Sequence, residues 1–262
     1  MTIEHQYPVA ERPRGPFQGV AQIFWFNWPM YATAALSTLA ATVVLAFVPL
    51  PTFARLAVMA ATLIGLFWAA ASLVVSYWVY DASPLCRWEW VADELRPTPR
   101  LWINVHCGFD ESTPALRRLL SGASGRVLDL FDPAEMTEPS ILRARGLADP
   151  ATRGEPADYR RLPAENDSID AAFLMLSAHE LRTAVARRTL FVELLRVVRP
   201  GGTVVVAEHM RDAANFIAFG PGFVHFHSRA AWLRTFREAG WLLERERRIT
   251  PFVAVFVLRR PG

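Results

Sequence analysis

The strongest constraint on the fold is a pair of uncharged apolar stretches near the N-terminus, residues 30–50 and 56–80. At about 1.5 Å per residue, the first would span about 31 Å as a helix, close to the about 30 Å of a hydrocarbon core. The link between them, PTFAR, is too short for anything but a turn, so the helices should run antiparallel. A signal peptide has a shorter apolar core of about 7 to 15 residues, and a buried hairpin of this length is unusual in a soluble core. We therefore predict a transmembrane helical hairpin over residues 30–80.

The residues that flank the hairpin indicate its orientation. Antiparallel helices bring the start of the first and the end of the second to one membrane face, where aromatic side chains are expected. The aromatic residues there are Trp25, Trp28, Tyr31, Tyr77, Trp78 and Tyr80. The arginines on that side are Arg12, Arg14, Arg87, Arg96 and Arg100, against Arg55 alone at the other end. The positive-inside rule then predicts that both termini and the following domain are cytoplasmic.

Composition excludes several classes of protein. The net charge of +3 is scattered, so it forms no nucleic-acid footprint. All 28 basic residues are arginine, which excludes lysine chemistry and is typical of a GC-rich bacterial genome, so we expect a bacterial inner (cytoplasmic) membrane protein. Cys86 and Cys107 make neither a disulfide framework nor a zinc site. Residues 16–28 form either an interfacial helix or only the aromatic collar of the first span.

Behind the hairpin, the chain has the pattern of a water-soluble α/β domain. We interpret residues 1–29 as a cytoplasmic or interfacial segment, 81–97 as a juxtamembrane linker and 98–262 as the domain. Strands are predicted at 101–105, 126–131, 169–176, 203–208, 241–246 and 252–258, and helices at 113–121, 139–146, 184–198 and 229–239. This alternation predicts a doubly wound, mostly parallel sheet, and the short link before the last strand predicts an antiparallel final pair.

Three sequence blocks follow one another in this domain. Residues 158–170 (DYRRLPAENDSID) place an acidic residue and Leu-Pro before a polar turn. Residues 193–206 (ELLRVVRPGGTVVV) join a helix to a strand through Pro-Gly-Gly, and residues 226–241 (FHSRAAWLRTFREAGW) end a helix in Ala-Gly-aromatic. Together they resemble class I S-adenosylmethionine-dependent methyltransferases, of the type 11-like kind, over residues 98–259. The resemblance implies a seven-stranded Rossmann-like sheet and S-adenosylmethionine as the cofactor.

The resemblance also implies cofactor-binding positions. Asp132, which we expect to end the second strand, matches the acidic residue that accepts hydrogen bonds from the ribose hydroxyls. Asp158, four residues before Leu162, matches the position near the adenine amino group. Both aspartates could equally be solvated loop carboxylates.

The first glycine motif departs from the family pattern of an acidic residue followed by three alternating glycines. The matching segment runs from Asn104 to Asp110, and only Gly108 survives. Asn104 replaces the acidic residue, while His106 and Asp110 replace glycines that let the backbone approach the cofactor. Asp110 or Glu111 is a candidate to replace the missing acid. The loop either takes another path around the cofactor or no longer binds it.

Histidines at strand ends are the candidates for catalysis, because an acceptor hydroxyl benefits from a base that titrates near neutral pH. We predict His179, after the fourth strand, and His209, after the fifth, as catalytic residues. His225 and His227 lie in a loop that could cover the site. They supply two metal ligands and no obvious third, so no metal site is predicted.

Two functions agree with these features. The first is a membrane-anchored methyltransferase acting on a lipophilic acceptor such as a quinol, a phenol or another lipid, since an anchored enzyme meets a bilayer-dissolved substrate at high effective concentration. The alternative is a catalytically inactive methyltransferase-fold protein that serves as a membrane-bound binding or scaffold partner. Gly65 and several alanines could let the helices pack with another copy, so a homo-oligomer is possible.

Overall fold

The computed structural model describes residues 14–148 and 153–262. Three helices open this part of the chain: α1 (Gln18–Phe26), α2 (Trp28–Phe47) and α3 (Thr52–Ser76). A break at Asn27 separates α1 from α2, and α3 continues through one wider helical turn, Tyr77–Ala82. Arg12 and the rest of residues 1–13 lie outside the described residues.

Helices α2 and α3 pack against each other and leave most of their apolar surface exposed. Both are long and apolar enough, by length and composition, to cross a membrane. Within the described part of the chain no residue of α2 is buried, and the buried residues of α3 are the polar Ser72 and Ser76. The helices therefore carry their apolar side chains outward.

A seven-stranded sheet forms the centre of the domain within the described ranges, with the strand order β3-β2-β1-β4-β5-β7-β6. The strands are β1 (Leu101–His106), β2 (Ser124–Asp129), β3 (Glu155–Pro156), β4 (Ile169–Met175), β5 (Val198–His209), β6 (Leu242–Thr250) and β7 (Val253–Arg259). Strands β1 to β5 pair in parallel, and β7 runs antiparallel to both β5 and β6. This topology confirms the predicted doubly wound sheet with an antiparallel final pair.

Helices cover both faces of this sheet. They are α4 (Thr113–Leu119), α5 (Pro139–Leu147), α6 (Ala184–Val197), α7 (Ala213–Phe219) and α8 (Arg229–Glu238). Four of the five fall where the sequence pattern predicts a helix. The short helix α7 was not predicted, because its apolar residues follow no amphipathic repeat that separates it from a loop. The two-residue strand β3 was also missed, since it is too short to leave a pattern.

Residues 81–97, interpreted from sequence as a linker, do more than connect the N-terminal helices to the sheet. Leu85, Trp88 and Val91 are buried, and they belong to the same apolar cluster as Trp102 and Phe173 of the sheet. Burying two or three large side chains contributes several kcal/mol, at about 1.5–3 kcal/mol each. The N-terminal helices are therefore packed against one face of the domain rather than flexibly tethered to it.

Candidate functional site

A cavity of about 400 Å³ lies at the carboxyl ends of β1, β4 and β5. Its floor is formed by the residues that follow these strands, and its sides by α1, the first residues of α2, the last turns of α3 and a covering loop after α7. Ligand sites in doubly wound sheets lie at this end of the strands. The lining is mainly apolar, with Ile23, Phe26 and Met30 from α1 and α2 on one side. Phe109, after β1, and Phe226, in the covering loop, lie on the other. A cavity of this size and character suits a small organic molecule.

Helix α1, which forms one side of the cavity, is held in place by polar contacts. Asp81, after α3, accepts the backbone N–H groups of Gly19 at 2.7 Å and Val20 at 2.9 Å, and so caps the start of α1. Glu111, in the altered glycine loop, accepts hydrogen bonds from Gln22 Nε2 at 2.7 Å and from Arg14 Nη1 at 2.8 Å. Helix α1 is thus docked on the loop that follows β1.

His179 lies in the short turn Ala178–Glu180 directly after β4 and faces the cavity. Its Nδ1 lies 2.6 Å from Oε2 of Glu208, whose other oxygen accepts the backbone N–H of His179 at 3.2 Å. Burial lowers the pKa of His179, but the charge of Glu208 and hydrogen bonds to Glu180 and Glu208 outweigh it and raise the pKa to about 10. His179 is therefore protonated at neutral pH when no other cation is bound, and it does not have the near-neutral pKa that we expected of a base.

His209, the last residue of β5, is in the opposite charge state. Its Nδ1 lies 3.2 Å from Oδ1 of Asn215, an oxygen that can only accept, so Nδ1 carries the proton and Nε2 accepts from the Tyr80 hydroxyl at 2.7 Å. Burial is the main cause that lowers the pKa of His209, to about 4. His209 is neutral at physiological pH, and both it and Tyr80 line the cavity.

The covering loop consists of the turn Gly220–His225 and the residues that follow it. Its His225 lies against His179, with ring centroids 5.1 Å apart, and its Nδ1 lies 2.8 Å from Oε2 of Glu138. His227 points elsewhere, because its Nε2 accepts a hydrogen bond from Arg187 Nη1 at 2.8 Å. The pairing of His225 with His227 that spacing suggested therefore does not form.

In the first glycine motif, the side chains of Asn104 and Asp110 are used within the protein. Asn104 Nδ2 donates to Asp110 Oδ1 at 3.1 Å and to Thr113 Oγ1 at 2.8 Å. The same Asp110 oxygen accepts the Ser112 N–H at 2.8 Å. Both residues thus shape the turn before α4. Asn104 Oδ1 is buried and has no hydrogen-bond partner among the residues described.

The remaining glycine, Gly108, keeps the backbone conformation that the motif needs. Its φ of +99° lies in the left-handed region, and a Cβ there would stand 3.1 Å from the ring of Phe131. The His106 side chain is bonded to the neighbouring backbone: Nε2 donates to the carbonyl of Arg153 at 2.9 Å, and Nδ1 accepts the Gly108 N–H at 3.1 Å. The ring thus lies beside Gly108 at the end of β1.

The carboxylate at the end of β2 is Asp129, not Asp132. The strand ends at Asp129, which is 5% exposed, whereas Asp132 lies three residues later and accepts the N–H of Ala134 at 2.8 Å. Asp129 Oδ2 lies 2.6 Å from Arg145 Nη1, and the guanidinium of Arg145 stacks 4.4 Å from the centre of the Phe131 ring. Sequence reasoning missed Asp129 because two aspartates close together bracket the uncertain end of a predicted strand.

Asp158 follows β3, the strand at the edge of the sheet next to β2. It is exposed and accepts the backbone N–H of Arg160 at 2.8 Å. Neither Asp132 nor Asp158 is among the cavity-lining residues in the described part of the chain. The predicted catalytic histidines therefore meet at the cavity, and the predicted nucleoside-binding aspartates lie outside it.

A family model described as a methyltransferase domain matches residues 104–206. Residues 104–206 therefore resemble a methyltransferase domain. No curated protein matches the sequence at a significant level.

Several solved structures of methyltransferases are distantly similar to this chain. A methyltransferase from Aquifex aeolicus is 15% identical, with a TM-score of 0.46 over 62% of this chain and 82% of its own. One from Methanosarcina mazei is 14% identical, with a TM-score of 0.48 over 66% and 97%. A geranyl diphosphate C-methyltransferase from Streptomyces coelicolor is 15% identical, with a TM-score of 0.45 over 66% and 74%. These values describe a distant likeness.

S-adenosylmethionine is the cofactor of methyltransferase domains of this family. Two features next to the cavity fit it: the left-handed turn at Gly108, two residues after the end of β1, and the carboxylate of Asp129 at the end of β2. Asp129 Oδ1 and Oδ2 each accept one hydrogen bond, from the Phe131 N–H and from Arg145, and a carboxylate has about four acceptor sites. Asp129 can therefore accept further hydrogen bonds, and it would accept them more readily if Arg145 moved away.

Proposed function

We propose that this chain is a membrane-anchored S-adenosylmethionine-dependent methyltransferase whose acceptor is lipophilic, such as a quinol, a phenol or another lipid. The observation that carries the proposal is the composition of the cavity wall. Met30 and Ser72 of the apolar helices line the same cavity as Ser177 and His209 at the strand ends. A molecule dissolved in a bilayer could thus enter between the anchor and the domain without crossing water.

The exposure of α2 and α3 supports their insertion in a membrane. Leu36, Phe47 and Phe53 are all more than 60% exposed, whereas the buried residues of α3 are serines. Core helices of a soluble protein bury their large apolar side chains, and apolar surface this extensive is costly in water. Lipid provides the apolar surroundings that these side chains lack in the folded chain.

The charge distribution supports a cytoplasmic domain in a bacterial inner membrane. Arg14 and Arg87 lie at the domain end of the helices, and Arg55 lies in the first turn of α3 at the far end. A reporter that is active only in the periplasm should therefore stay silent when it is fused to the C-terminus, and periplasmic activity would overturn this orientation. Gly65 has open space around it within the described chain, so it remains a candidate contact for a homo-oligomer.

The residues of the site divide the work as follows. Gly108 and Asp129 would hold the cofactor, which would supply an electrophilic methyl group when bound. Of the two predicted catalytic histidines, His209 is the candidate base, because its ring is neutral at physiological pH. The proton would reach Nε2 through the hydroxyl of the cavity-lining Tyr80, which donates to that nitrogen at 2.7 Å. The apolar lining excludes water, which favours transfer to the acceptor over solvent.

A second function is favoured by two observations. Arg145 forms an ion pair with Asp129, the carboxylate proposed for the cofactor, and the glycine motif keeps only one glycine. A chain in this arrangement could be a catalytically inactive binding or scaffold protein. Fold alone does not decide between the two functions.

Calorimetry separates them. The full chain in detergent micelles is titrated with S-adenosylmethionine and with S-adenosylhomocysteine. Saturable binding of either ligand would support the methyltransferase proposal, and no binding at millimolar ligand would refute it. If the cofactor binds, incubation with the radiolabelled methyl donor and a bacterial lipid extract should label an organic-soluble product. The His209→Gln chain, which retains a hydrogen-bonding side chain, should bind the cofactor normally and label the product slowly.

A further inference from the structure

We propose that His179, Glu180 and His225 bind a divalent transition-metal ion on the wall of the cavity. The first two residues come from the turn after β4, and the third comes from the covering loop, 45 residues later. Glu180 Oε1 lies 3.4 Å from His179 Nε2 and 3.7 Å from His225 Nε2. One donor atom from each of the three residues lies within 4.8 Å of the other two.

These separations suit a shared ion. Zinc binds imidazole nitrogen and carboxylate oxygen at about 2.0–2.2 Å, so two donors on one tetrahedral ion lie about 3.4 Å apart. The distances of 3.4 Å and 3.7 Å from Glu180 to the two imidazoles are near that value. Small side-chain adjustments would complete the coordination, since Glu180 and His225 stand on loops.

Each imidazole is oriented by a second carboxylate. Glu208, which is completely buried, holds Nδ1 of His179 at 2.6 Å, and Glu138 holds Nδ1 of His225 at 2.8 Å. Both rings therefore direct Nε2 toward Glu180. Metal-binding histidines characteristically bond their other nitrogen to a carboxylate, which fixes the ring and makes the donor nitrogen more basic. Two such pairs that converge on a third carboxylate are hard to explain as packing alone.

The charges around the cluster also favour a dication. Three carboxylates, Glu138, Glu180 and Glu208, surround the two imidazoles. The nearby arginine is Arg182, whose Nε lies 3.6 Å from Glu138 Oε1. Metal ligands bind as neutral imidazoles and ionised carboxylates. With both rings neutral, a bound dication would offset much of the negative charge that remains.

The donor set indicates the kind of ion and where it faces. Two imidazoles and one carboxylate suit zinc, manganese or iron(II), whereas magnesium and calcium prefer oxygen donors alone. Three protein ligands leave coordination positions open, as in catalytic rather than structural sites. All three ligands line the cavity, so an oxygen atom of a molecule bound there could occupy an open position and be polarised. Only this last step rests on the proposed methyl transfer.

The test measures metal binding without cofactor or acceptor. The full chain in detergent micelles, freed of any affinity tag and stripped with a chelator, is titrated with Zn²⁺ and with Mn²⁺ by calorimetry, and bound metal is counted by mass spectrometry. One ion per chain is expected. His179→Gln, Glu180→Gln and His225→Gln should each weaken binding at least 100-fold, and Glu208→Gln, which removes a ring-orienting carboxylate, about 10- to 100-fold.

His227→Gln is the matched control, because it lies two residues from His225, contacts Arg187 instead of the cluster, and keeps an acceptor for that arginine. Its affinity should equal that of the unmodified chain. Co²⁺ provides a second readout, since its visible absorption reports nitrogen and carboxylate coordination and should be lost in His225→Gln. Absence of stoichiometric binding to the unmodified chain would overturn the proposal, as would equal binding by the His225 and His227 variants. Either result leaves the cofactor-binding test of the proposed function unaffected.

Discussion

Replacing Asp129 by asparagine tests which carboxylate serves the cofactor. The change preserves the shape of the side chain and one acceptor oxygen but removes the charge. A hydrogen bond to a charged group is worth about 1.5–3 kcal/mol, and about 1.4 kcal/mol corresponds to a factor of ten in Kd. Asp129→Asn should therefore weaken the binding of S-adenosylhomocysteine by about 10- to 150-fold in calorimetry.

Asp132→Asn is the control for this experiment. Asp132 is half-buried, lies three residues after the end of β2 and uses Oδ1 to accept the Ala134 N–H, which asparagine can also do. A substitution of this kind changes free energies by about 0.5 kcal/mol, so the affinity should stay within about twofold. Asp129→Asn also removes the buried partner of Arg145, whose side chain is 28% exposed and can turn toward solvent, so thermal melting is measured to check that the variant is folded. A large loss of affinity in Asp132→Asn with none in Asp129→Asn would refute the assignment.

Three further predictions concern other parts of the molecule. Arg145→Gln should free Asp129 and tighten the binding of S-adenosylhomocysteine in calorimetry, whereas weaker binding would mean that Arg145 itself holds the ligand. Asp81→Ala should uncap α1 at a cost of about 1–2 kcal/mol, so amide hydrogen exchange of α1 in nanodiscs should become about 5- to 30-fold faster; unchanged exchange would show that apolar packing alone docks the helix. Because burial lowers the pKa of His209 from 6.5 to about 4, the folded chain binds fewer protons than the unfolded chain between these values. The neutral His209 therefore contributes to stability above pH 6.5. This contribution, about 3 kcal/mol at most, is lost as the pH falls toward 4. The melting temperature should therefore fall less between pH 7 and pH 4.5 in His209→Gln than in the unmodified chain, and equal slopes would contradict this.

Site residues could be predicted from the sequence where their placement depends on local structure, and could not where it depends on contacts between distant parts of the chain. His179 and His209 could be predicted at the cavity because each directly follows a strand, and parallel strands end at one edge of a sheet. Their charge states could not be predicted, because they depend on Glu208 and Asn215, which reach them through the folded structure. The choice between Asp129 and Asp132 depended on where the pairing of β2 with β1 ends, and residue pattern locates such ends only to within about 2–4 residues.

The sequence by itself determined the apolar hairpin and the succession of strands and helices. Both depend on local periodicity and length, which the chain carries in one dimension. It also carried the blocks that identify a methyltransferase domain, since turns such as Pro-Gly-Gly are local. Only the tertiary structure decided that the hairpin shares a cavity with the strand ends, and that His225 meets His179 and Glu180. Those contacts join residues far apart in the chain, and their geometry is set by the packing of the whole fold, which no short stretch of sequence encodes.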